Sequence, residues 1–158
     1  VVRAGPFAGL RLGAAGTEGG HAPRLLGCYE QELHPLIEAL IARGFPRLVN
    51  VGCADGYYAV GLARRMPGTR VLAHDTDPRA QAACRAMAEA NGVADRVAVG
   101  GEVDHALLGA LVQDSYATRP AVLDACEDGM RHHAAGLECD IAAAMAICVP
   151  LRSISPSG

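Results

Sequence analysis

No lysine and no tryptophan occur in these 158 residues, and only 4% of them are aromatic. The missing lysine excludes Schiff-base chemistry, attachment of pyridoxal phosphate and the lysine of a phosphate-cradling P-loop. All 14 basic residues are therefore arginine, interspersed with 17 acidic ones to leave a net charge of −3. A concentrated basic run of the kind that drives non-specific nucleic-acid binding is missing, although a local patch for an RNA would not show in a net charge. Long apolar runs are missing too. No stretch reaches the roughly 18 apolar residues that a membrane span needs, and Val1 to Gly20 hold no signal-peptide core. The expectation is a cytoplasmic protein with no membrane partner.

What is present supports one compact domain. Hydrophobic residues make up 51% of the chain, above the disordered range, and the length suits one buried core. With so few aromatics the core must be built largely from Ala, Val and Leu, which pack closely but gain less per residue. The six cysteines (Cys28, Cys53, Cys84, Cys126, Cys139 and Cys148) show no C-x-x-C spacing and no zinc-like pairing with histidine. They read as small buried thiols in a reduced compartment, and no metal site is expected. His34, His132 and His133 read as surface or hydrogen-bonded histidines.

Residues 1–24 are rich in Gly and Ala without a period, and read as a flexible arm. Leu33, Leu36, Ile37, Leu40 and Ile41 then recur at the spacing of one helix face, with Pro35 near its first turn and Gly44 just past its end. A short apolar run at residues 48–51 predicts a strand, the turn Gly52–Gly56 follows, and a helix runs from Tyr57 to Met66. A second strand at 71–73 ends in His74-Asp75. Asp77-Pro78 is a ready helix start, with Asp as the cap and Pro in the first turn. That helix should bury Ala80, Ala83, Cys84, Met87 and Ala88 and stop at Asn91-Gly92. Further elements are expected as a strand at 96–99, a helix at 104–112, a strand at 121–123 and a short strand at 146–151. Strands alternating with helices across short connections predict an α/β fold with a parallel sheet. Ligands in such sheets sit outside the carboxyl ends of the strands.

Two turns at those ends carry the chemistry. In Val51-Gly52-Cys53-Ala54-Asp55-Gly56-Tyr57 the small residues admit a ligand to the backbone, and the helix amides beyond favour a negative group. An NAD site needs G-x-G-x-x-G, but those positions hold Gly52, Ala54 and Tyr57. The spacing for S-adenosylmethionine is G-x-G-x-G, met here by Gly52, Ala54 and Gly56 with Ala as a mild departure. Asp75 ends the second strand, where a carboxylate can accept hydrogen bonds from both hydroxyls of a ribose. Asp77 is better read as a helix cap.

The stretches NVGCADGYYAVGLA, VLAHDTDP and NGVADRV together resemble the class I S-adenosylmethionine-dependent methyltransferase family. The resemblance covers residues 47–103, with weaker likeness over 25–44. It implies a three-layer Rossmann-like sandwich with a mostly parallel sheet over residues 25–152; with few residues left after the strand at 121–123 that sheet is expected to be short at its carboxyl end, and 153–158 read as a disordered tail. The resemblance further implies S-adenosyl-L-methionine as cofactor, held by Gly52, Ala54, Asp55, Gly56 and Asp75, with Gly101 and Glu102 bordering the adenine. Asp55 would contact the methionine portion, and Tyr57 or Tyr58 would border the cofactor. Acceptor-side residues would follow the fourth strand, where Glu127 and Asp128 are the catalytic candidates, although acids also decorate helix starts for their own sake. Methyl transfer from a sulfonium is an in-line displacement driven largely by positioning, so a dedicated base is not required. The implied function is methyl transfer to an acceptor that no residue here names. The alternative is a truncated or non-catalytic S-adenosylmethionine-binding module without a complete acceptor site. Oligomeric state stays open, a homo-oligomer included.

Overall fold

The computed structural model describes residues 1–13 and 20–103. Four helices and three strands are defined there: α1 (His21–Leu26), α2 (His34–Arg43), β1 (Arg47–Val51), α3 (Tyr57–Arg65), β2 (Arg70–His74), α4 (Pro78–Ala90) and β3 (Val97–Gly100). A single 3-10 turn, Gln31–Leu33, leads into α2. The three strands form one parallel sheet in the order β1-β2-β3. The fold is therefore the α/β, Rossmann-like arrangement. The helix expected at 104–112, the strands at 121–123 and 146–151, the tail at 153–158, and Glu127, Asp128, Cys126, Cys139, Cys148, His132 and His133 all lie outside the described residues.

Strand pairing follows from the alternation of side chains across the pleat. Leu48 registers with Val71 and Val71 with Val97, and these join the main core with Ala73. α3 and α4 pack on β2 and β3 and on each other, and Ala59, Val60, Leu62, Ala63, Cys84, Met87 and Ala88 complete this small-residue core. Val49 is buried on the opposite face, with Val51 and Leu72 against it. The two-sided burial explains why β1 reads as a continuous apolar run.

Helix ends fall where local chemistry puts them. Asp77 caps α4, its side chain accepting from the amide of Arg79, and Pro78 occupies the first turn. Gly44 closes α2 with φ +66, a backbone that favours glycine. Leu36 departs from expectation. It is 39% exposed, and α2 instead turns Ile37 inward with Leu33, Leu40 and Ile41 partly buried. Ala83 is also only partly buried.

The opening residues are not the loose arm that their composition suggests. Val2, Phe7 and Leu10 are at most 2% exposed and belong to the main core. Two backbone bonds, Val2 N–H to the Leu10 carbonyl at 2.8 Å and Gly9 N–H to the Val2 carbonyl at 2.9 Å, close the segment into a loop. Asn91, at the end of α4, accepts from the Arg11 amide at 2.9 Å and donates to its carbonyl at 2.8 Å. Phe7 lies against Gly61 of α3, where a Cβ would come within 2.6 Å of the ring. Three apolar residues dock an otherwise glycine-rich stretch on the main core, Phe7 in the space that Gly61 of α3 leaves open.

Candidate functional site

The carboxyl ends of β1, β2 and β3 converge on the turn that leaves β1. Cys53 N–H donates to the His74 carbonyl at 2.9 Å, so this turn is laced to the end of β2. Asp75 N–H donates in the same way to the Gly100 carbonyl at 3.2 Å, lacing the next turn to β3. Gly52 is exposed with φ +69, a left-handed backbone that suits glycine.

Two recesses flank Gly52. The larger, about 190 Å³, is lined by Val51, Gly52, His74, Asp75, Thr76, Gly101, Glu102 and Val103. Four of the residues named from sequence, Gly52, Asp75, Gly101 and Glu102, therefore share one wall, although they lie on three different strand ends. His74 and Thr76, which flank Asp75 in the VLAHDTDP stretch, join them. His74 bonds through Nδ1 to the Gly101 carbonyl at 3.1 Å, and its ring covers Gly100.

The smaller recess, about 50 Å³, lies on the other side of the turn and takes in Ala54, Asp55, Tyr57, Tyr58, Arg24, Tyr29 and Glu30. Arg24 of α1 donates to both carboxylate oxygens of Asp55, at 3.1 and 3.0 Å, and both side chains are at most 7% exposed. The guanidinium stacks over the Tyr29 ring at 4.6 Å and sits 5.5 Å from that of Tyr57. Tyr58 donates its hydroxyl to Glu30. Burial pushes the Tyr57 phenol up to about 12, and burial with the neighbouring Glu30 carboxylate pushes Tyr58 up as well. Both phenols therefore stay protonated near neutral pH. Among the described residues two non-glycines have left-handed backbones, Glu30 (φ +46) and Ala54 (φ +48), and both line this recess. Such conformations cost of order 1–3 kcal/mol and tend to gather at functional sites.

Asp75 ties the two turns together. Its Oδ2 accepts from the Ala54 amide at 2.8 Å and its Oδ1 from the Asp77 amide at 2.9 Å. Each carboxylate oxygen retains a second lone pair for a ligand hydroxyl. Gly56 behaves differently from expectation. It lines neither recess, and a Cβ built on it would come within 2.7 Å of the Cys84 sulfur, at a φ of +94. Its missing side chain makes room for Cys84 of α4.

Arg24, Tyr29 and Glu30 had no signal in the sequence. α1 spans only 6 residues, too few to show a period, and Arg24 meets Asp55 from 31 positions away. No cluster of three or more metal-ligating side chains exists among the described residues.

No protein-family model matches the chain. A release factor glutamine methyltransferase from Chlorobaculum tepidum is 37% identical over 73 residues, covering 43% of this chain and 25% of that protein. Over the matched residues the chain is similar to the class I S-adenosylmethionine-dependent methyltransferase family. It spans about a quarter of the length of the curated relative it matches (25%). A methyltransferase from Geobacter sulfurreducens, solved with S-adenosyl-L-homocysteine, is 25% identical over 46% of this chain and 29% of its own, with a TM-score of 0.39. An O-methyltransferase from Bacillus cereus, also in complex with that product, is 24% identical over 53% and 37%, with a TM-score of 0.43.

The site fits the cofactor of that family. Asp75 keeps acceptor capacity beside an open recess, and Gly52 exposes backbone to it. It suits NAD poorly, since Tyr57 stands where the third glycine of that fingerprint belongs and is packed edge-on against Phe7 and Tyr29.

Proposed function

We propose that the described residues bind S-adenosyl-L-methionine and that the protein they belong to transfers its methyl group to an acceptor. One observation carries this reading: Gly52, Asp75, Gly101 and Glu102 share a single recess at the carboxyl ends of three parallel strands. The adenosine end would occupy that recess. Asp75 would accept from the ribose hydroxyls, while Gly101 and Glu102 would border the base. The amino-acid end would enter on the Ala54 side. There the recess is walled by Ala54 and by the buried Arg24–Asp55 pair, and Asp55 would lie beside the methionine portion. When bound, the cofactor supplies an electrophilic methyl on sulfur, and the chain's own residues hold it and exclude water around it.

No helix among the described residues is long and apolar enough to cross a membrane. A cytoplasmic setting is part of the proposal, and it suits the free thiols of Cys28, Cys53 and Cys84.

Isothermal titration of the purified chain with S-adenosylmethionine, S-adenosylhomocysteine and NAD tests the reading. Saturable one-to-one binding of the first two and none of NAD is expected. A folded chain that binds neither sulfur compound would remove the cofactor assignment.

A further inference from the structure

The glycine turn has an alanine at its centre, and the fold must hold that alanine in a backbone conformation it disfavours. Ala54 has φ +48, a left-handed position that L-residues disfavour. Its amide is not left to solvent. Asp75 Oδ2 accepts it at 2.8 Å, reaching back 21 residues from the next turn. The other oxygen is fixed by the Asp77 amide at 2.9 Å, and Gln81 donates to the Asp75 carbonyl at 2.9 Å. The carboxylate is thus anchored on its own turn before it grips its neighbour. We propose that Asp75 is a positioning residue for the cofactor turn as well as a cofactor contact, and that its grip on Ala54 does the work a glycine would otherwise do there. The contact on the cofactor rests on the reading above; the grip on Ala54 is a property of the free protein. Binding then finds the turn already shaped, and the ordering cost is met in the fold and not at the moment of association.

The Asp75→Asn substitution separates the two roles. An amide keeps the volume but turns one oxygen into a donor, so it can accept from only one of the two backbone N–H groups that Asp75 now satisfies. A glycine at position 54 needs no such grip, because it takes positive φ freely. The experiment compares wild type, Asp75→Asn, Ala54→Gly and the double variant. Each is titrated with S-adenosylhomocysteine, its amide exchange at position 54 is followed by NMR without ligand, and its urea midpoint is recorded. In the wild type the Ala54 amide should exchange at least ~10-fold more slowly than in an unstructured chain, and Asp75→Asn should lose most of that protection. Affinity should fall about 10- to 100-fold in Asp75→Asn, change less than about 3-fold in Ala54→Gly, and recover about 3- to 5-fold when the glycine is added to Asp75→Asn. A fold defect alone would lower the urea midpoint without this rescue of affinity. Multiplicative losses with no recovery, or an unprotected Ala54 amide in the wild type, would overturn the proposal. Should Asp75→Asn fail to fold, wild-type exchange at Ala54 still decides. Should the wild type bind no S-adenosylhomocysteine, the cofactor reading fails while amide exchange continues to judge the turn.

Discussion

The two recesses beside Gly52 are built by opposite means. The larger one is made of residues that end strands or begin the next turn, each placed by the register of a parallel sheet. The smaller one is made of side chains gathered from α1, the segment before α2, and the start of α3, held by an ion pair, a tyrosine–carboxylate bond and stacked rings. The first is a consequence of backbone topology, with Asp75 the side chain that ties its turns together. The second is a network of buried polar contacts, in which each member depends on the others.

The largest effect should come from breaking that network. Arg24→Met leaves the Asp55 carboxylate buried without its cation, and unpairing a buried charge costs about 3–5 kcal/mol. The double variant Arg24→Met with Asp55→Leu should recover most of the loss, since an apolar pair can replace a buried ionic one at little cost. Urea unfolding of the three proteins measures both numbers. A loss under ~1 kcal/mol in Arg24→Met would mean the recess is far wetter than its burial implies.

Next is Gly56→Val. The added side chain meets the Cys84 sulfur and must adopt a strongly positive φ, so overpacking and backbone strain together should cost about 2–4 kcal/mol. The contrast sought is with Gly52, which belongs to the open side. A stable Gly56→Val protein that merely loses cofactor affinity would restore Gly56 to the site.

Asp77→Ala should cost about 1 kcal/mol through the lost cap on α4, and leave affinity for S-adenosylhomocysteine within about 2-fold. Asp75 and Asp77 stand on the same turn of the open recess, so this variant checks that capping and ligand contact are divided as the geometry indicates. Loss of binding in Asp77→Ala would merge the two roles.

The smallest effect is expected away from both recesses, at Glu38 and Arg65. They bond at 2.9 Å with side chains 49% and 35% exposed, and exposed pairs are worth about 0.2–1 kcal/mol. The hydrogen bond from Arg65 holds the Glu38 carboxyl below its usual range. Because the folded value is lowered, the contribution is complete above the ordinary carboxylate range and disappears as pH falls through that lowered value. Urea midpoints of the wild type and Glu38→Gln should differ slightly near neutral pH and converge in acid. A difference that grows in acid would reverse the assigned sign.

The sheet, its helices and the open recess were legible in the residues themselves. Apolar runs of strand length, the Asp77-Pro78 helix start, Gly44 at the end of α2 and the small residues after Val51 each act within a few positions, and topology then brings Gly52, Asp75 and Gly101 to one edge. The burial of Val2, Phe7 and Leu10 had no periodic trace, because those residues reach the core from a segment outside any helix or strand. Nor could local reasoning assign Gly56, since a glycine that clears a ligand and one that clears Cys84 look alike in a motif. The pairing of Arg24 with Asp55 and the grip of Asp75 on Ala54 span 31 and 21 residues. Short-range preferences determine strands, caps and turns, and these were written in the sequence. Which charge meets which, and which turn is held by which carboxylate, depends on distances that exist only once the chain has folded, and the tertiary structure alone decided them.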